Sequence, residues 1–192
     1  MASHKVLVAI CGLWLLGVGG AAVAQDETAA GVSASVLERR QEINERADAT
    51  LSKLFEQQSA VRSLYDRAAG YAVFTATKAG FIVTGGGGTG VAVDKSSGQR
   101  TYMRMGTGGI GLGIGAQRYD LVILFETDAH LDRFTRGGWD ASTTAQAAAG
   151  RDGVTATSSF IDGVAFYQIT DRGLMAQADV SGTRFWTVDE LN

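Results

Sequence analysis

Half of the chain's 26 glycines lie between residues 80 and 115, inside stretches that otherwise alternate like β-strands. One block reads Gly80-Phe81-Ile82-Val83-Thr84-Gly85-Gly86-Gly87-Gly88-Thr89-Gly90-Val91-Ala92-Val93. The other reads Gly109-Ile110-Gly111-Leu112-Gly113-Ile114-Gly115. Successive strand residues face opposite sides. Ile110, Leu112 and Ile114 therefore share one face, and the other face is bare backbone. Glycine weakens a strand, so repeated strand glycine marks a bulge, a bend or close approach by another body. A helix, a second strand or a ligand each meets that requirement.

The first 24 residues read as an export signal. Lys5 supplies the positive start, residues 6–18 are apolar apart from Cys11 and two glycines, and Ala22-Val23-Ala24 is a small-x-small cleavage site before Gln25. The apolar run is shorter than the ~20 residues of a spanning helix. Cleavage after Ala24 leaves 168 residues with no cysteine and no proline. That length suits one domain with its own core. Without disulfides, burial must hold an exported chain together. Residues 25–34 are expected to be a flexible mature N-terminus and 35–192 a single domain. The expected location is the periplasm or cell envelope.

Two periodicities divide that domain. Ser35 and Glu38 form a capping box ahead of Val36, Ile43, Ala47, Leu51 and Leu54, which repeat as one helix face. Gln57-Gln58-Ser59 interrupts the helix, Val61, Leu64, Tyr65 and Ala68 continue a second one, and Gly70 is the expected stop. From Tyr71 the period is two. Candidate strands cover 71–76, 80–84, 90–94, 100–105, 108–117, 119–126, 164–170, 173–180 and 183–188, with a hairpin loop over 94–98. Leu121 to Phe125 is continuously apolar, as a central strand requires. A short helix is predicted over 128–136, and residues 139–150 fit strand or helix equally. The expected fold is α+β: N-terminal helices packed on a curved, mainly antiparallel, glycine-rich sheet or partial barrel, with one short helix inserted near 128–136.

Catalytic chemistry lacks its parts. Gly85-x-Gly87-x-x-Gly90 and Gly106-x-Gly108-x-x-Gly111 satisfy a dinucleotide pattern, but strand alternation follows both where a helix N-terminus is needed. A phosphate loop fails because Val91 follows Gly90. Beyond the signal, His130 is the only histidine and no cysteine remains to act as nucleophile. Asp128, His130 and Asp132 do not share a helical face, so an Asp132–Arg136 surface pair explains them better than a metal. No enzyme activity, metal or cofactor is expected. A hydrolase built from the many carboxylates after Tyr119 ranks last, because no spacing singles out a pair.

Charge is distributed unevenly. Residues 71–118 carry Lys78, Lys95, Arg100, Arg104 and Arg118 against Asp94 alone, whereas 119–192 carry five basic and eleven acidic residues. Arg100, Tyr102 and Arg104 alternate with Thr101, Met103 and Met105, so one strand face carries a basic–aromatic–basic ladder. Lys78 and Arg118 stand near the ends of neighbouring strands. Guanidinium groups grip phosphate in bidentate geometry. These five residues, Lys78, Arg100, Tyr102, Arg104 and Arg118, are the candidate contacts for anionic phospholipid headgroups. Nucleic acid is not expected as a partner of an exported chain that is acidic overall.

The same residues carry a resemblance. Tyr71-Ala72-Val73-Phe74, Lys78-Ala79-Gly80-Phe81-Ile82-Val83, the glycines at 85–88, Gly90-Val91, and the run from Gly108 through Gln117 into Tyr119-Asp120-Leu121-Val122 are similar to the SYLF family of lipid-binding domains. Gly138-Trp139-Asp140-Ala141-Ser142, Tyr167-Gln168-Ile169-Thr170-Asp171-Arg172-Gly173-Leu174 and Gly182-Thr183-Arg184-Phe185-Trp186 resemble its exported bacterial branch. The resemblance spans roughly residues 45–192. It implies phospholipid binding without catalysis. Yeast relatives bind actin, a partner that an exported bacterial protein is not expected to meet unless it reaches a host. Gln99-Arg100-Thr101-Tyr102 stands where eukaryotic members carry Trp-Ser-x-Pro, so no headgroup preference is implied. The alternative to lipid binding is a structural or protein-interaction module of the envelope whose glycine strands serve packing.

Overall fold

The computed structural model describes residues 21–80, 83–110, 115–136, 159–170, 173–175 and 182–192. Residues 1–20 of the expected export signal, the glycine alternation over 111–114, the ambiguous stretch 139–150 and the strand expected over 176–180 lie outside the described residues. The chain divides into two units, Met1–Ser35 and Val36–Asn192. All of the described strands belong to the second unit.

Helix α1 (Ala21–Gln57) starts upstream of the expected cap, so Ser35 and Glu38 lie within it. Its predicted apolar face is realised: Ile43, Ala47, Leu51 and Leu54 are buried. Helix α2 (Ala60–Arg67) follows the expected break and buries Val61 and Leu64. Gly70 does not stop this helix. It opens strand β1 (Gly70–Gly80), where a Cβ would run into the Leu131 side chain and the Val93 carbonyl.

Three long strands follow: β2 (Val83–Asp94), β3 (Arg100–Ile110) and β4 (Gly115–Phe125). The glycines at 85–88 are not a break between two strands, as their composition suggests, but the first half of β2. The stretch 108–117 is likewise not one strand, since its two ends belong to β3 and β4. Helix α3 (Asp128–Thr135) carries the expected Asp132–Arg136 pair at 3.1 Å. Strands β5 (Val164–Thr170), β6 (Gly173–Met175) and β7 (Thr183–Thr187) complete a seven-stranded sheet of order β6-β5-β4-β1-β2-β3-β7. Every pairing is antiparallel. Among the described residues the sheet is open, with β6 and β7 at its edges.

Alternation sorts the core into two layers. Tyr71, Val73, Val91, Val93, Tyr102, Val122 and Leu124 pack with α1 and α2 on one face. Ala72, Phe74, Ala76, Met103, Met105, Leu121, Ile123 and Phe125 pack with Leu131 and Phe134 of α3 on the other. The central position of β4 explains why 121–125 reads as continuously apolar: all five side chains are fully buried between the two layers.

The glycines of β2 answer the question their spacing raised. The body that approaches is strand β1. A Cβ on Gly88 would collide with the Thr75 carbonyl and with Ala76, and one on Gly90 with the Val73 carbonyl and the Phe74 ring. Gly85 and Gly87 point the other way, where a Cβ at 85 meets nothing within 4 Å. The β2–β3 turn is held by Asp94. Its carboxylate accepts from the Ser96 hydroxyl at 2.7 Å and from the backbone N–H groups of Ser96 and Ser97. These bonds, the Ser96 hydroxyl first, hold its pKa down to about 2. Gly98, at φ +73, supplies the left-handed residue of the turn.

Candidate functional site: an arginine-lined groove

The antiparallel register aligns residues in rows across the sheet. The row Val122, Val73, Val91 and Tyr102 belongs to the core beneath the helices. One step further along the strands, the same face changes character. The next row is Asp120, Thr75, Thr89, Arg104 and Trp186, on β4, β1, β2, β3 and β7 in turn. The row after it is Arg118, Thr77, Gly87, Gly106 and Arg184. Side chains in register share a face, so two polar rows emerge where the apolar one ends.

These rows form a groove of about 530 Å3 lined by Arg104, Arg118, Thr75, Thr77, Thr89 and Trp186, floored by glycine and walled by Arg46 from α1. The volume falls within the range of small-ligand sites. Three inter-strand steps, about 14 Å of flat sheet, separate Arg104 from Arg118. The two guanidinium groups thus enter from opposite sides. Neither has an ion-pair partner among the described residues. Arg46 Nη2 lies 2.7 Å from Glu42 Oε1 one turn away. The carboxylate in these rows, Asp120, accepts the Thr75 hydroxyl at 2.8 Å. Glycine at 106 lets the Trp186 ring lie close over the strand: a Cβ there would stand 3.1 Å from Cη2. Trp186 is 44% exposed, one of two exposed large apolar residues among those described.

The five residues singled out by sequence separate into three roles. Arg104 and Arg118 meet in the groove. Arg100 and Tyr102 share Arg104's face, as alternation requires, but they hold α1 to β3. Arg100 Nη1 donates to Asn44 Oδ1 at 2.8 Å, and Asn44 Nδ2 donates to the Tyr102 hydroxyl at 3.0 Å. The Arg40 guanidinium lies 5.4 Å from the Tyr102 ring centre, and the ring is buried. Lys78 is half-buried and, by alternation with Phe74 and Ala76, belongs to the α3 face. Sequence reasoning missed Arg46, Trp186 and the three threonines. Thr75, Thr77 and Thr89 carry the right alternation, but only the register shows that they face Arg104 and Arg118.

Fold and groove together define an α+β domain with helices on both faces of an antiparallel sheet and a cationic groove beside the N-terminal helices. Residues 106–192 match the family model described as Ysc84, Las17-binding protein actin regulator. The chain is also 39% identical over 154 residues to a curated protein of Aeromonas veronii, Beta cell expansion factor A, a match covering 80% of this chain and 59% of that protein. The chain therefore spans about three-fifths of the length of this relative. By both matches the chain resembles the SYLF, or Ysc84, family.

Proposed function

We propose that this is an exported, non-catalytic lipid-binding protein that contacts anionic phospholipid headgroups at the bacterial cell envelope through the Arg104–Arg118 groove. The observation that carries this reading is the convergence of two arginines, with no carboxylate partner among the described residues, on a hydroxyl-lined glycine floor. Guanidinium and hydroxyl donors are the chemistry that phosphate oxygens accept. Trp186 at the rim adds an amphipathic ring of the kind that settles at a membrane interface. The SYLF resemblance of the sequence supports lipid binding, and the signal pattern of residues 1–24 supports export. Metal-ligand clusters are absent among the described residues.

Co-sedimentation with anionic and with neutral vesicles, across salt concentrations, tests the reading. Each basic side chain near an anionic surface contributes about 1 kcal/mol. Replacing Arg104 and Arg118 by Gln should therefore weaken binding to anionic vesicles by about 2 kcal/mol, on the order of thirtyfold. Replacing Lys78, on the opposite face, should leave it nearly unchanged. Equal retention on neutral and anionic vesicles would defeat the headgroup reading and favour the structural module of the envelope.

A further inference from the structure

The groove's three arginines are not equivalent. Arg104 and Arg118 rise from the sheet without ion-pair partners among the described residues, whereas Arg46 comes from α1 and is engaged by Glu42 at 2.7 Å. Both members of that pair are more than half exposed, at 55% and 57%. Exposed pairs one helical turn apart are weak, so Arg46 is free to exchange Glu42 for a stronger acceptor.

The number of negative charges on the ligand decides whether that exchange happens. A phosphate diester carries one charge, and the two sheet arginines already outnumber it. A phosphate monoester carries between one and two charges near neutral pH and presents three acceptor oxygens. It offers Arg46 an acceptor that a diester does not. The threonine hydroxyls and the exposed side chain of Arg46 line the same groove of about 530 Å3. Asp120 stands in the row of Thr75 but outside the lining, and its carboxylate accepts the Thr75 hydroxyl.

We propose that the groove is a phosphate-monoester subsite whose selectivity is set by Arg46, handed over from Glu42 to the ligand. The proposal rests on the reading of the groove as an anionic-headgroup site and adds to it a ligand class and a specificity-determining residue on α1.

The test compares the purified protein on phosphatidylcholine vesicles containing either phosphatidate, a monoester, or phosphatidylglycerol, a diester, at matched surface charge. Wild-type protein should prefer phosphatidate by about fivefold or more. Arg46→Gln should bring the ratio of phosphatidate to phosphatidylglycerol affinity to about one. Glu42→Gln, which releases Arg46, should raise phosphatidate affinity by about twofold to fivefold. Both side chains are exposed, so unchanged melting temperatures will show that the variants are folded. Titration with glycerol 3-phosphate separates the two sources of such a group. Saturable binding lost in Arg46→Gln assigns the subsite to soluble monoesters, and selectivity confined to vesicles assigns it to a headgroup; either supports it. A preference that survives Arg46→Gln overturns the role of Arg46. Equal binding of wild-type protein to both anionic lipids overturns the monoester subsite and leaves lipid binding standing, whereas no binding to either overturns both.

Discussion

Single atoms decide what the glycines of β2 do. A methyl group at 88 would meet the Thr75 carbonyl and Ala76, with backbone on one side of the contact, while at 85 it would meet nothing. Gly88→Ala should therefore lower the unfolding free energy by about 2–3 kcal/mol, as overpacking does. Gly85→Ala should be neutral or raise it by up to about 1 kcal/mol through the unfolded chain. Urea midpoints of the two variants make the comparison. The need for close approach was legible in the residues. The identity of the approaching body was not, because it depends on which strand pairs with β2. Arg100 and Tyr102 make the same point. Their shared face follows from alternation, but the Asn44 side chain that ties both to α1 comes from 56 and 58 residues away.

Elements are joined by a small number of polar fastenings over a continuous apolar layer. The Asn192 side chain clamps the backbone of β3: Nδ2 donates to the Tyr102 carbonyl at 2.9 Å and Oδ1 accepts the Tyr102 N–H at 2.8 Å. Arg40 Nε donates to the neighbouring Leu191 carbonyl at 2.9 Å, so α1 fastens the same segment. Asn192→Ala leaves the Tyr102 N–H of β3 unpaired, while the Tyr102 carbonyl keeps the Val188 N–H at 3.0 Å, and should reduce stability by about 1–2 kcal/mol in chemical denaturation. Leu54→Ala, in the fully buried helix face, should cost about 2–5 kcal/mol. Helix faces and most strands were readable because period 3.6 and period 2 differ plainly here. Boundaries at Gly70 and at 85–88 were misread because glycine composition cannot tell a stop from a strand that another strand presses upon.

For the molecule as a whole, the two layers leave an alkaline signature. Burial raises the phenols of Tyr71 and Tyr167 from 10.0 to about 12, Tyr71 with a further contribution from Tyr65. The unfolded chain releases these protons near pH 10, and the native chain holds them until about pH 12. Their contribution is thus fully present below pH 10 and is lost as pH rises toward 12. Circular dichroism should show unfolding favoured across that window, and the paired variant Tyr71→Phe, Tyr167→Phe should lose stability less steeply within it. The architecture of the sheet was legible from the succession of periodicities. The groove was only half legible: Arg104 and Arg118 stood out by charge, but neither helix periodicity nor strand alternation marks Arg46 or Trp186 as facing them.

The uneven loading of β2 also sets an order of events. Its anchoring residues, Val91, Ala92 and Val93, sit beside the tight turn, and its glycines at 85–88 offer no side chain to bury. Closure of the β2–β3 hairpin should begin at the turn and run toward residue 85, because short loops close first and early apolar contacts reward them. In the native protein the same gradient runs backwards. Breathing motions should start at the glycine end, and amide protons at 85–88 should exchange with solvent before those at 91–93.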